Sequence, residues 1–245
     1  MITDQDISVA RDRIRSCRDA AGKGEDCLIR SGVSRVFEVL FSPLLTADKV
    51  VFVPQKDIEE AERYAAEWTN TKSNVTREQN YLDDGDNLPT RGTTGYVCER
   101  AVELLFGLPR FSIVDPSQAF ASHRTAADLR KLGYNVGVKG ALCGKVPLVH
   151  HPDKHSSPSI TGMAQIIVVA QQWRLDYQCF VLGVVSPGDL ADKHNLSRWL
   201  VIDPKTRARE DKVGFYGAWK IRPLSSDIEE SLAKYRFASA EPLPL

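Results

Sequence analysis

Between Asp128 and Lys139 the chain reads Asp-Leu-Arg-Lys-Leu-Gly-Tyr-Asn-Val-Gly-Val-Lys, and this run constrains the fold more than any other. Gly133 permits a sharp reversal, and Tyr134 to Val138 carries the β-branched and aromatic content of a strand. A reversal at Gly133 returns Asp128 alongside Lys139 at one edge of a sheet. The expectation is a tight β-ribbon with a carboxylate at one end and an ammonium at the other. Just upstream, Tyr96 to Phe106 reads as a helix with Val97, Ala101, Leu104 and Leu105 on one side, stopped by Gly107 and Pro109. Glu99 and Glu103, four residues apart, share a face of that helix.

The rest of the chain supplies elements that fit around this run. Asp4 to Ala21 places Ile7, Ala10, Ile14 and Cys17 at helical spacing before Gly22 and Gly24. A second helix is expected over about Val33 to Phe41, then a short strand at Val50 to Val53, then a helix from Asp57 to Trp68. The stretch from Thr69 to Gly95 is rich in Asn, Asp, Thr and Gly without an apolar period, so it reads as a long loop and a domain boundary. Further strands are expected at Ile166 to Val169 and Phe180 to Val185, and a closing helix at Ser226 to Tyr235. The fold class is therefore α/β or α+β, a mixed β-sheet flanked by helices. The expected division is a mainly helical recognition or partner region over residues 1–94 and a core over residues 95–245.

Composition excludes several classes. With 42% hydrophobic and 26% charged residues the 245-residue chain is ordinary for a globular protein, and no apolar run approaches the roughly 20 residues needed to cross a bilayer. No membrane partner is expected. The start, Met1-Ile2-Thr3-Asp4-Gln5-Asp6, is acidic and polar where a secretory signal begins basic and continues apolar, so a cytoplasmic location is expected. Five scattered cysteines support neither a disulfide framework nor a Cys-x-x-Cys metal knuckle. The formal net charge is zero, yet residues 1–94 hold 13 basic and 17 acidic side chains against 19 and 15 in residues 95–245. Between His123 and Arg222 there are 15 basic and 8 acidic residues, a surplus that suits a phosphate-facing surface. No phosphate-binding Gly-rich loop, dinucleotide fingerprint or Gly-x-Ser-x-Gly elbow is present, which leaves nucleotide-driven, redox and serine-hydrolase chemistry without a local basis.

Glu99, Asp128 and Lys139 are the residue types that phosphodiester cleavage with Mg²⁺ or Mn²⁺ requires. Hard carboxylate oxygens hold the ion, and a cation steadies the phosphate or orients water. Glu99 or Glu103 completes the cluster from the helix. A helix glutamate, then Asp-Leu with a following Gly, then a strand ending Val-Gly-Val-Lys-Gly resembles the PD-(D/E)XK nuclease superfamily over about Gly95 to Leu224, particularly its small phage and bacterial members. That resemblance implies a restriction-endonuclease-like core and a nuclease acting on DNA with Mg²⁺ or Mn²⁺, located, for a phage protein, in the host cell cytoplasm. It assigns Glu99 as the helix glutamate, Asp128 as the metal-binding aspartate and Lys139 as the catalytic lysine. Gly137 stands at the superfamily's second acidic position and offers no side-chain oxygen. Three arrangements accommodate that glycine. Glu103 or Asp153 supplies the missing oxygen; the ion is held by Asp128, Glu99 and backbone carbonyls; or the fold is kept for binding without cleavage, as in a factor that blocks or recruits a host nuclease.

Other segments carry secondary candidates. His150-His151-Pro152-Asp153-Lys154-His155 gathers imidazoles and a carboxylate that suit zinc, so a zinc hydrolase on His150, His151 and Asp153 is a weaker alternative to a phosphate-contacting loop. His123 lies within reach of Asp128 in sequence as a proton shuttle. Asp203 to Lys212, followed by Phe215, Tyr216 and Trp219, interleaves cations with aromatics as a nucleic-acid contact does. Lys145, His151, Lys154, Lys205, Arg207 and Arg209 are the expected nucleic-acid contacts, and residues 1–94 the expected surface for a protein partner.

Overall fold

The run Ala164-Gln165-Ile166-Ile167-Val168-Val169-Ala170 is apolar at all but one position, the mark of a strand covered on both faces. The computed structural model describes residues 37–38, 41–69, 88–113, 127–144, 148–150, 163–173, 176–191, 213–215 and 221–238. In it this run lies within β4 (Ala164–Trp173), at the middle of the sheet. Antiparallel to it runs β5 (Asp176–Val185), with Trp173 opposite Asp176 and Gln165 opposite Val185. On the far side of β5 lies β1 (Val50–Val53), also antiparallel, and beyond β4 lies β2 (Val136–Leu142), which is parallel to it. The sheet is therefore mixed, in the order β1-β5-β4-β2. A separate two-stranded ladder joins β3 (Leu148–His150) to β6 (Val213–Phe215). A mixed sheet flanked by helices is the fold class that the pattern of elements predicts.

Two long helices flank the sheet. The first, α1 (Gln55–Thr69), packs on the second, α2 (Leu88–Leu105), and α2 touches β1, β2, β4 and β5. Val97, Cys98, Ala101 and Val102 of α2 are fully buried with Val136, Val138, Ile166 and Val168. The alternation of a strand puts Val136, Val138 and Gly140 on this face of β2 and Gly137 and Lys139 on the other. Contact between α2 and β2 is close enough to fix a residue type. A Cβ at Gly140 would lie 2.5 Å from Cys98 Sγ and 3.4 Å from the Thr94 carbonyl oxygen.

The boundary expected after residue 94 falls inside α2, and the strand Val50–Val53 is a member of the same sheet as β2, β4 and β5. The first turns of α2, Leu-Pro-Thr-Arg-Gly-Thr-Thr, are poor helix formers, which is why the sequence reads as loop there. Burial of Thr93 and Thr94 supplies through packing what propensity withholds. The expected closing helix over 226–235 is also shorter, α4 (Ile228–Leu232) followed by a tight turn at Ala233–Tyr235. Asp227 caps α4 by accepting from the Glu229 and Glu230 N–H groups at 2.8 and 3.1 Å. A five-residue helix, α3 (Pro187–Ala191), follows β5. Of the expected helices nearer the N-terminus, the one over residues 4–21 lies outside the described residues, as does all but 37–38 and Phe41 of the one over 33–41.

A buried ion cluster fastens α1 to α2. Arg100 donates from Nε to Asp57 Oδ2 and from Nη1 to Glu103 Oε2, both at 2.8 Å, and Asp57 and Glu103 are fully buried. Arg110 adds a second cation, 2.6 Å from Asp57 Oδ1 and also paired with Glu60. Glu103 Oε1 accepts from the Ile113 N–H at 2.7 Å. Burial pushes the Asp57 carboxyl up, but the hydrogen bond and charge of Arg100, with Arg110, outweigh it and hold the group below its ordinary range. Removing the shared cation strands two carboxylates away from water. Arg100→Met is expected to lower unfolding free energy by about 3–5 kcal/mol, read from urea denaturation. Because the depressed carboxyl of Asp57 stabilises only while ionised, wild-type stability should decline as pH falls below the ordinary aspartate range of about 4.

Candidate metal and phosphate site

Asp128 is placed by backbone geometry outside the regular sheet. The tight turn Arg130–Leu132 ends at Gly133, whose φ of 84° is left-handed, so the reversal expected there is present. Where a two-stranded ribbon was expected, however, the segment folds against the open edge of β2 by isolated bonds. Leu129 N–H donates to Val136 C=O at 3.0 Å, and Tyr134 N–H donates to Leu129 C=O at 3.2 Å. From that position Asp128 Oδ2 accepts the Val138 N–H at 2.6 Å. The C-terminal segment holds the turn from outside: Asn135 N–H donates to Tyr235 C=O and Phe237 N–H to Gly133 C=O. Tyr134 O–H reaches Glu229 at 2.7 Å, and Arg236 pairs with the same carboxylate.

Glu99 enters from α2, one residue after the cysteine that touches Gly140. Burial pushes its carboxyl well above the usual range, the Asp128 carboxylate pushes it further, and Lys139 opposes both. The Asp128 carboxyl is likewise raised by burial, against Lys139, the Val138 N–H bond and Arg130. Glu99, Asp128 and Lys139 therefore act on one another electrostatically beside β2. Glu103, the other expected metal ligand, is drawn into the Arg100 cluster, and its two carboxylate oxygens accept from Arg100 and Ile113.

Gly137 is the fourth feature. A Cβ there would stand 2.6 Å from Gln165 Oε1, 3.0 Å from Gln165 Nε2 and 2.9 Å from Met163 Sδ. Gln165 lies opposite Gly137 in the parallel register, and its carboxamide occupies the space a side chain at 137 would take. This residue is not among those the sequence pattern singles out. The signal available for it was a single amide within the apolar run of β4, where each neighbour is apolar.

Among the described residues, no three His, Cys, Asp or Glu side chains converge as a metal-binding group, so the two carboxylates do not form a complete acidic triad. His150 lies in β3, opposite Val213, while His123, Lys145, His151, Asp153, Lys154, Lys205, Arg207 and Arg209 lie outside the described residues. No helix among the described residues is long and apolar enough to cross a membrane. The chain matches no family model, no curated protein and no solved structure.

Two measurements follow from this geometry. With both carboxyls raised on folding, the native state holds more protons than the unfolded chain above the ordinary carboxylate range, so this pair makes stability fall as pH rises. Glu99→Gln is expected to raise unfolding free energy near pH 8 by on the order of 1 kcal/mol and to flatten that decline, measured by thermal melts across pH 5–9 without divalent ions. Gly137→Ala is expected to destabilise by about 1–3 kcal/mol through overpacking. Part of that loss should vanish in the Gln165→Ala background, with Met163 supplying the rest, giving a coupling energy above about 0.5 kcal/mol in a double-mutant cycle.

Proposed function

We propose that the chain is a metal-dependent phosphodiesterase acting on DNA, built on a restriction-endonuclease-like core of the PD-(D/E)XK type. The observation that supports the proposal is that Glu99 on α2, Asp128 before the turn at Gly133 and Lys139 on β2 act on one another electrostatically, with Asp128 bonded to the Val138 N–H. Two carboxylates with raised proton affinity beside a lysine form an environment short of positive charge. A divalent cation supplies it, and such an ion polarises a phosphate oxygen and lowers the pKa of bound water.

The residues present suit a hard cation. Glu99 and Asp128 offer carboxylate oxygens, and the Val138 N–H bond fixes the Asp128 carboxylate while leaving its second oxygen for a ligand. Lys139 lies on the face of β2 that carries Gly137, and its role in this reading is to neutralise a phosphate oxygen or orient the attacking water. Position 137, free of a side chain, leaves the floor of the site to the carboxamide of Gln165. The surplus of basic residues between His123 and Arg222 supports a polyanionic substrate. The departure from the superfamily pattern at 137 favours a second reading, a fold retained for recognition.

Incubation with supercoiled plasmid and with single-stranded DNA in Mg²⁺ and in Mn²⁺ separates the two. Cleavage abolished by EDTA, and reduced at least about 100-fold by Lys139→Ala or Asp128→Asn, is the expected result. DNA binding without cleavage in either metal would favour the recognition reading.

A further inference from the structure

The turn that returns Asp128 to β2 is held through both ends of one residue. Tyr134 N–H donates to Leu129 C=O at 3.2 Å, which ties it to the neighbour of Asp128, and Tyr134 O–H donates to Glu229 Oε2 at 2.7 Å, 95 positions along the chain. Arg236 Nε donates to both oxygens of the same carboxylate at 3.1 Å, and its guanidinium lies 5.2 Å from the centre of the Tyr134 ring. The backbone is fixed there as well. Tyr134 and Arg236 form an antiparallel bridge, flanked by the bonds from Asn135 N–H to Tyr235 C=O at 2.8 Å and from Phe237 N–H to Gly133 C=O at 3.0 Å. Tyr134 and Leu129 are buried with Leu232 of α4 in the main core, while the Glu229 and Arg236 side chains are about half exposed.

An exposed ion pair contributes little to stability, so the sheet does not depend on Glu229 for its folding. What the carboxylate fixes is the place of the Tyr134 hydroxyl, and with it the Tyr134 backbone that holds Leu129. Asp128 itself is joined to β2 by short links, the Leu129 N–H on Val136 C=O and its own Oδ2 on the Val138 N–H at 2.6 Å. A shift of the turn therefore reaches the Asp128 carboxylate directly. We propose that Glu229 is a positioning residue: through the Tyr134 hydroxyl it holds the turn after Asp128, so that the Asp128 carboxylate stays on the Val138 N–H with its second oxygen left for a divalent cation. The proposal rests on the metal-dependent reading of the site for the cation, and on the hydrogen bonds alone for the geometry. Partners that orient a ligating carboxylate keep a metal site in shape, and losing one typically weakens metal binding by about 10- to 100-fold. The C-terminal segment is then part of the site although it offers the cation no ligand.

Hydrogen exchange of the full chain without metal, followed by NMR at the Val138 amide, tests the geometry, and calorimetric titration with MnCl₂ tests its consequence. Tyr134→Phe and Glu229→Ala should each speed Val138 exchange at least about tenfold and weaken Mn²⁺ binding about tenfold, with exchange in β4 and β5 and the melting temperature close to wild type. Glu229→Gln, which keeps an acceptor for the Tyr134 hydroxyl without the charge, should leave both near wild type. Unchanged exchange at Val138 in Tyr134→Phe and Glu229→Ala, or faster exchange spread across β4 and β5, overturns the positioning role. Faster exchange at Val138 with wild-type Mn²⁺ affinity overturns its link to the cation. If wild type binds no Mn²⁺ at millimolar concentration, the metal-dependent reading itself fails, and the exchange at Val138 still decides whether Glu229 holds Asp128.

Discussion

Helix α2 can lie against β2 only because residue 140 has no side chain, and the rest of the arrangement depends on that contact. With Cys98 Sγ filling the place of a Cβ at Gly140, the helix axis is held at a fixed depth above the sheet. An α-helix turns about 100° per residue, so three consecutive residues leave this contact in three directions. Cys98 meets the sheet, Glu99 reaches the edge where Asp128 and Lys139 lie, and Arg100 enters the cluster that joins α1. One close approach thus positions a fold contact, a candidate ligand and an interhelical anchor together.

Carboxylates within a single turn of that helix meet opposite electrostatic settings. Glu103 and Asp57 lie against Arg100 and Arg110, a cluster that carries its own cations and holds Asp57 below its ordinary range. Glu99 and Asp128 share Lys139, with Arg130 near Asp128, and both carboxyls are raised. Burial acts on both clusters, so the difference lies in the balance of charge. The first is internally compensated and is explained by holding two helices together; in the second, burial and the neighbouring carboxylate outweigh the single lysine.

The parts of this arrangement that were legible in the sequence are those governed by local pattern. Apolar runs gave β4 and β5, the reversal at Gly133 gave the return of Asp128, and the four-residue spacing placed Glu99 and Glu103 on one helix. What that spacing does not carry is the difference in their surroundings, because the partners of Glu103 come from Asp57 through Arg100 and from Ile113, which only the packed fold brings near. The start of α2 was hidden for a similar reason. Thr, Gly and Pro obscure a helix whose stability comes from burial. Gln165 was legible as an amide in an apolar run, but its relation to Gly137 exists only in the parallel register of β2 and β4, which joins residues 28 positions apart.

That register bears on what a glycine at an expected acidic position means. Read along one strand, Gly137 is a loss. Across two strands it is a volume that a polar side chain occupies, with an acceptor oxygen that no described residue satisfies. An apolar residue at 165 would fill the same volume without a buried unpaired oxygen, so packing alone does not account for the carboxamide. Gln165 and Met163 both reach the space beside residue 137, so what fixes a glycine there is set across two strands and not along one.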